Sequence, residues 1–556
     1  MVMEYQGQKF KTDEDLKVEV LGFWPRININ DSVLKERFQD GFDRSFLGGD
    51  ELVSYAQTLV SGGMDFGFLE ENILNDMNDS EKDFGDFIFK KTATGIGRGH
   101  SLGGLSGVVL GLNGTKMIDS GLTGFVASRS LATSSRRRET TEEEIVVPQS
   151  LFGREDLLKE YLKISKDVFD TAKIFKSQIG KISGVETFNK VLPYNNPGDL
   201  FIVLPLDTMA SLAVEVREDR ANPNGNFLPK ELWALADMFP DLTKSAGMDV
   251  MYNQRIKVPR DTYFHYHVFK DSSLANSALE FGQSTGMSIH PKIVNVEKDF
   301  TDGFRKRLAY VQNQFEKTNQ VTDPEELVRE SMDSMLALRS FVGEYNDAVK
   351  IKIADSLSWR VWSEQKRHAT LRQNVESVYS GVERAQNTIG QVWDIIEEVY
   401  EKKKDVSNLP LDKIEEVVIM DKKLKKDDNL LISYLYHTAR QLMFSNKLVE
   451  EGFEKRDVLF SVPKNIKLRT TENYDLVNLV DLEFPLRLCS ACEPERYASS
   501  WEKRELIAKA VPELDYFLSP KCNVGFCTEG KSCNHIYDMR EYSVDLHKTT
   551  KQAMLG

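Results

Sequence analysis

The sequence predicts a mixed helix-and-strand (α/β, α+β) chain built twice over, and three observations predict it. Leu158, Tyr161, Leu162, Val168, Phe169, Ala172 and Phe175 keep helical spacing after Pro148, as do Leu431, Tyr434, Leu435, Thr438 and Leu442 in LLISYLYHTARQL. Each half opens on a strand-like segment, KVEVLGFWP early and KIVNVEKDF later. Each long helix is followed by a proline and, 24 residues on, by an arginine: Pro193 to Arg217, then Pro463 to Arg487. A recurring order of this kind is the mark of an internal duplication.

At 556 residues and 41% hydrophobic content, the chain can bury a large core and should hold two or more domains. Its net charge of -14 opposes non-specific binding to nucleic acid, whose phosphates favour a basic footprint. Free nucleotides need only a few local cations and stay possible. No apolar run approaches the roughly 20 residues of a membrane span. The start MVMEYQGQKFKTDED lacks the apolar core of a signal peptide, so a cytoplasmic setting is expected.

In chain order, KVEVLGFWP is followed by an acidic, helical stretch to FGDFIFKK, with no side-chain pattern that carries chemistry. GIGRGHSLGGLSGVVLGLNG then supplies closely spaced glycines that suit a tight turn into a glycine-broken strand. It is no P-loop, because no Gly-Lys-Ser/Thr follows. SSRRRETTEEE sets three arginines against three following glutamates and reads equally as a basic loop or a phosphate-holding segment. Residues 246–300 are expected to be a strand-rich connector, with Tyr263, His265 and His267 alternating along it; packing explains that alternation better than ligand binding. EKKKDVSNLPLDKIEEVVIMDKKLKKDD is expected to be an insertion on the surface of the second half.

All five cysteines, Cys489, Cys492, Cys522, Cys527 and Cys533, fall late, with His535 just beyond. Their absence from the first 488 residues opposes a secreted disulfide framework. The spacing admits a structural zinc held by Cys489, Cys522, Cys527 and Cys533, or simply reduced, partly buried thiols.

The stretch RHATLRQNVESVY, residues 367–379, is the centre of the functional reading. An adjacent Arg-His pair followed by Asn374 and Ser377 brings cation, imidazole, amide and hydroxyl within four turns if the stretch is helical, as a phosphate-bearing ligand requires. A solvated helix face bearing Arg367, Arg372 and Glu376 is the alternative.

Arg367, His368, Asn374 and Ser377 resemble part of the signature of the flavin-dependent thymidylate synthases. Ala369, Arg372 and Tyr379 depart from it, standing where the family has Arg, Ser and Arg. Gly99-His100 is similar to the Gly-His that precedes the signature and touches the flavin. In the first half, Gly124, Phe125 and Val126 stand where Arg-His-Arg belongs, whereas Ser134 and Arg136 fall on the closing Ser-x-Arg that holds the nucleotide phosphate. RLCSACEPERYASSWEKR and the cysteines after it resemble the end of cysteine-bearing members.

The resemblance implies antiparallel strands packed with long helices. It divides the chain into a first unit over 1–245, the connector over 246–300, a second unit over 301–535 and a tail over 536–556. It implies reductive methylation of dUMP to dTMP with FAD, NADPH and methylenetetrahydrofolate. His100, Arg367, His368 and Asn374 would hold FAD; Ser134, Arg136 and Ser377 the nucleotide; Arg217 and Arg487 would contact the uracil nucleotide. A family that works as a tetramer implies here a homodimer of pseudo-tetrameric arrangement, with one composite site drawn from complementary remnants of the two halves. A catalytically inactive relative that binds flavin or nucleotide, and a zinc-containing interaction protein, are the competing classes.

Overall fold

The computed structural model describes residues 3–5, 8–13, 16–28, 46–62, 83–97, 102–122, 129–132, 144–179, 181–257, 268–270, 290–366 and 370–523, with short pieces within 72–79 and 536–541. The chain divides into two compact units. Unit 1 comprises Met1–Phe169, Leu192–Asp271 and Phe444–Val462; unit 2 comprises Asp170–Val191, Ser272–Met443 and Pro463–Gly556. Both are α+β, with helices packed on an antiparallel sheet.

The two main sheets have one topology. In unit 1 the strands lie in the order Lys17–Trp24, Gly107–Thr115, Pro197–Pro205, Arg129–Ala132; in unit 2 the order is Lys292–Lys298, Val349–Ser358, Lys467–Asp475, Arg372–Val375. Every pairing is antiparallel. The likeness extends to register. The central pair runs over nine residues in each sheet, and ends with Thr115 opposite Pro197 and with Ser358 opposite Lys467. The first strand of each sheet carries an irregularity at one place, between Val20 and Gly22 and between Ile293 and Asn295. Pro197 to Lys467 is 270 positions, and so is Arg217 to Arg487.

Alternation along the strands selects the face that packs. In unit 1, Val108, Leu110 and Leu112 oppose Leu204, Ile202 and Leu200, all buried. In unit 2, Val349, Ile351, Ile353 and Tyr474 meet Phe304, Leu308, Phe315 and Phe341 from helices Asp302–Thr318 and Pro324–Tyr345. Each fully buried Leu or Phe there contributes roughly 1.5–3 kcal/mol.

Each central strand runs into a helix through a hydroxyl cap. Ser358 Oγ accepts from Val361 N at 3.2 Å, and Glu495 takes the Ser358 N–H at 2.7 Å and its hydroxyl at 2.8 Å. Thr115 does the same in unit 1, accepting from Met117 N at 3.1 Å while Glu231 takes its N–H at 2.7 Å and its hydroxyl at 2.5 Å. Both glutamates are the second residue of their helices, Lys230–Ser245 and Pro494–Ala510, where the helix dipole favours a carboxylate.

The two long helices, Glu155–Gln178 and Asp428–Glu450, appear where the apolar spacing places them. Each buries a tyrosine whose hydroxyl donates to a carbonyl fifteen residues back: Tyr161 to Val146 at 2.7 Å and Tyr434 to Ile419 at 2.9 Å. The connector opens on helix Asp249–Arg255, whose Arg255 is buried in an ion pair with Asp207; residues 258–267, with Tyr263, His265 and His267, lie outside the described residues. Two local expectations are corrected. The charged stretch from residue 401 is no mere surface insertion. Its Val406, Leu409, Ile414, Val417, Val418 and Leu424 are buried, and Val418 bridges to Ile466 beside the sheet. The Asn374 stretch is a strand and not a helix, because Arg372–Val375 alternates buried Gln373 and Val375 with exposed Arg372 and Asn374 against the neighbouring strand.

Candidate functional site

The sequence-predicted residues fall in several places. Asn374 stands exposed on strand Arg372–Val375, its amide 3.4 Å from Thr471 Oγ1. Ser377, fully buried, caps helix Val378–Gly390 by accepting from Tyr379 N at 3.2 Å. Tyr379 is buried as well. Arg217 lies on the exposed side of helix Leu206–Ala221. Arg487 ends helix Glu483–Arg487, where its Nε donates to Glu483 at 2.7 Å. Cys489 and Cys492 share a tight turn, with Cys492 N donating to Cys489 O at 2.9 Å, and burial pushes the Cys492 thiol up. Cys522 is half-buried in the short turn Lys521–Asn523. His100, Ser134, Arg136, Arg367, His368, Cys527 and Cys533 lie outside the described residues. Among the described residues no three His, Cys, Asp or Glu side chains come together as a metal site.

The register of the unit 2 sheet collects charge on its outer face. Glu297, Lys350 and Asp475 lie side by side across three strands, and Asn295, Lys352, Asn473 and Arg372 form the next row across all four. Thr471 with Asn374, then Arg469 opposite Ser356, then Lys467 opposite Ser358 continue the face. Lys350, Lys352, Arg372 and Arg469 thus share this face with Glu297, Asp475 and, at its end, Asp347, while Lys467 is enclosed at the far end. A groove of about 530 Å³ runs along this face, lined by Lys350, Lys352 and Arg372 and by Glu297, Asp347 and Asp475, with Lys350 paired to Asp347 at 2.9 Å. Among the described residues no acceptor reaches the Arg469 guanidinium, and burial, then the charge of Arg384, holds its pKa below the ordinary arginine value. The corresponding face in unit 1 is different, for Leu131 and Phe201 face each other there at 74% and 41% exposure.

The inner face of the same sheet holds a closed ionic network. Glu472 accepts from Gln365 at 2.6 Å, Arg496 at 3.0 Å, Lys503 at 2.6 Å and Tyr474 at 2.6 Å. Asp355 accepts from Ser499 at 2.7 Å and pairs with Lys503 at 2.5 Å. The Arg496 and Lys503 charges overcome burial and hold the Glu472 carboxyl well below the usual range. Two cations against two carboxylates, all fully enclosed, make a structural element rather than a reactive one. A second buried set lies nearby, where Lys190 bridges Glu493 at 3.0 Å and Glu495 at 2.9 Å, and Arg360 pairs with Glu186 at 2.5 Å.

At the end of the sheet a cavity of about 690 Å³ opens beside Lys467. The carboxylates in its wall are already engaged: Asp355 and Glu495 as above, Glu415 with Lys425, Glu502 with His290, Glu505 with Arg504, and Asp421 with the Lys423 N–H. Lys467 is 4% exposed, and no acceptor among the described residues reaches its ammonium. Burial pushes its pKa down to about 8, against the partial support of Glu495 and Asp355. An amine in that range can carry charge or lend its lone pair near neutrality. Sequence reasoning missed this residue. Its signal was KLRTTENYD, a strand with charged side chains on both faces, which a simple half-buried strand does not carry.

No protein-family model and no curated protein matches the chain. Among solved structures, the UMP/dUMP methylase PolB from Streptomyces cacaoi, bound with 5-Br dUMP, matches at TM-score 0.32 and 13% identity, over 46% of this chain and 99% of that one. A likeness that weak assigns neither family nor activity.

Proposed function

We propose that the chain is a duplicated, divergent protein of the flavin-dependent thymidylate synthase type, which methylates dUMP reductively to dTMP using FAD, NADPH and methylenetetrahydrofolate. The observation that carries the reading is the cluster of Lys352, Arg372 and Arg469 on the outer face of the unit 2 sheet, because every one of these ligands bears phosphate or carboxylate and the chain as a whole is acidic. The strand with Asn374, next to the partial signature at Arg367 and His368, forms the edge of that face.

Of the expected FAD residues His100, Arg367, His368 and Asn374, the described one is Asn374; beside it on the same face stand Arg372, Lys352 and Arg469, cations suited to a pyrophosphate. When bound, the flavin supplies the hydride and one-carbon transfer chemistry. The chain's own residues neutralise phosphate, with Arg372, Lys352 and Arg469 as the cations and Asn374 as an orienting amide. Cys489 and Cys522 remain candidate zinc ligands together with Cys527 and Cys533, in a structural role that enters no step.

The second reading, a non-catalytic flavin or nucleotide binder, is favoured by one observation. The Arg487 guanidinium is tied to Glu483, and buried Tyr379 occupies the place of the signature's phosphate arginine. Two measurements separate the readings. Purified protein should show a flavin absorption spectrum, and should turn over dUMP with methylenetetrahydrofolate and NADPH, rescuing a thymidine auxotroph. A yellow protein without turnover supports the second reading; a colourless protein that does not take up FAD on titration sinks both.

A further inference from the structure

The cavity beside Lys467 has a charge imbalance that the proposed nucleotide chemistry does not use. Most wall carboxylates already have partners, whereas three cations of the wall do not: Lys467 inside, and the exposed Lys422 and Lys423, whose ammoniums find no acceptor among the described residues; Asp421, held by a backbone N–H, places a carboxylate at the rim beside Lys422 and Lys423. Lys467 is 4% exposed as a residue and no acceptor among the described residues reaches its ammonium, so a bound anion would complete the charge that burial disfavours. The cavity lining also includes apolar and aromatic side chains. Leu357, Val418 and Met420 are among them, with Val418 bridging to Ile466 next to Lys467, and Tyr497 and Trp501 stand edge-on to each other with ring centres 6.1 Å apart. A volume of about 690 Å³ lies within the range of small-molecule pockets, roughly 300–1,000 Å³.

We propose that this cavity binds a small organic anion built on a flat ring, a ring-bearing carboxylate or phosphate monoester, whose acid group pairs with the Lys467 ammonium while its ring packs on Trp501 and Tyr497. The inference goes beyond the nucleotide reading and does not rest on it, since the groove with Arg372 and the cavity with Lys467 have no lining residue in common. The depressed pKa of Lys467 accords with an amine that lacks its counter-ion in the unliganded protein.

Calorimetric titration of the full chain with four probes tests it: phenyl phosphate, benzoate, inorganic phosphate and phenol. At least one of the two ring-bearing anions should bind at least tenfold more tightly than either inorganic phosphate or phenol, and the tighter of them identifies the acid group. Lys467→Met, which keeps the side-chain length and removes the charge, should weaken that binding tenfold or more. Inorganic phosphate binding as tightly as both ring-bearing anions, or Lys467→Met binding them as the parent does, overturns the proposal. If Lys467→Met does not fold, acetylation of the parent chain by acetic anhydride decides, read by peptide mass. Protection of Lys467 by phenyl phosphate or benzoate, but not by inorganic phosphate, supports the site; equal labelling with and without them overturns it.

Discussion

Two buried charged residues five positions apart on one strand behave in opposite ways, and their neighbours are the reason. Glu472 is surrounded by Arg496, Lys503, Tyr474 and Gln365, so its charge is answered from several sides. Replacing it with Gln strands two buried cations against Asp355 alone. Glu472→Gln should therefore cost about 3–5 kcal/mol, read as a lower urea midpoint with an unchanged slope. Lys467 has no such answer. Its folded pKa of about 8 lies below the 10.5 of an ordinary lysine, so between those values the unfolded chain holds a proton that the folded chain has released. Stability attributable to Lys467 should accordingly rise with pH from about 8 to 10.5, and Lys467→Met should raise the melting temperature at pH 7 and remove that part of the pH slope. A melting temperature lowered at pH 7 would mean that the ammonium is answered after all.

At the scale of elements, the two halves reuse one set of local devices, and the copies differ where their surroundings differ. Tyr161 and Tyr434 each donate to a carbonyl fifteen residues back, so Tyr161→Phe and Tyr434→Phe should each lose about 1 kcal/mol, within a few tenths of one another. A large difference between them in urea unfolding would show that the duplicated bonds are not energetically equivalent. The strand-end caps diverge more. Glu495 has the Lys190 ammonium at 2.9 Å, whereas Glu231 is held by neutral donors, Thr115 and the Ile118 N–H, and burial pushes the Glu231 carboxyl up to about 7. Because the folded state holds that proton more tightly than the unfolded one, the stability due to Glu231 is full below about 4.5 and is lost as pH rises through about 7. Glu231→Gln should remove this dependence, which thermal melts between pH 4.5 and 7.5 will show.

The molecule as a whole is not two domains laid end to end along the chain. Unit 1 takes in Phe444–Val462 from far down the sequence, and unit 2 takes in Asp170–Val191 from the first half. Within unit 1, Tyr161 packs on Phe444, and Lys230 pairs with Asp457 at 3.0 Å. A chain cut after residue 271 thus lacks part of its own core. It should be insoluble or fail to give a cooperative melt, and a soluble, cooperatively folding fragment would show that Phe444–Val462 is dispensable.

What the sequence determined by itself was the set of parts. Helical spacing located both long helices, the strand-like composition of KVEVLGFW and KIVNVEK located the opening strands, and the equal distances from Pro193 to Arg217 and from Pro463 to Arg487 marked a repeat whose 270-position offset the paired sheets share. These signals are local, because burying one face of a helix or strand leaves a period in the chain. The tertiary structure alone decided which residues meet. RQNV became a strand because the strand Lys467–Asp475, almost a hundred residues away, offered it hydrogen bonds. The charged stretch around Ile414 and Val418 was drawn inward by its few apolar residues beside Ile466. Lys467, unremarked in the sequence, became the unanswered charge of a cavity. Whether a lysine is solvated or enclosed depends on groups brought from Lys190, Asp355, Asp421 and Glu495, and no local pattern records a distance between residues so far apart in the chain.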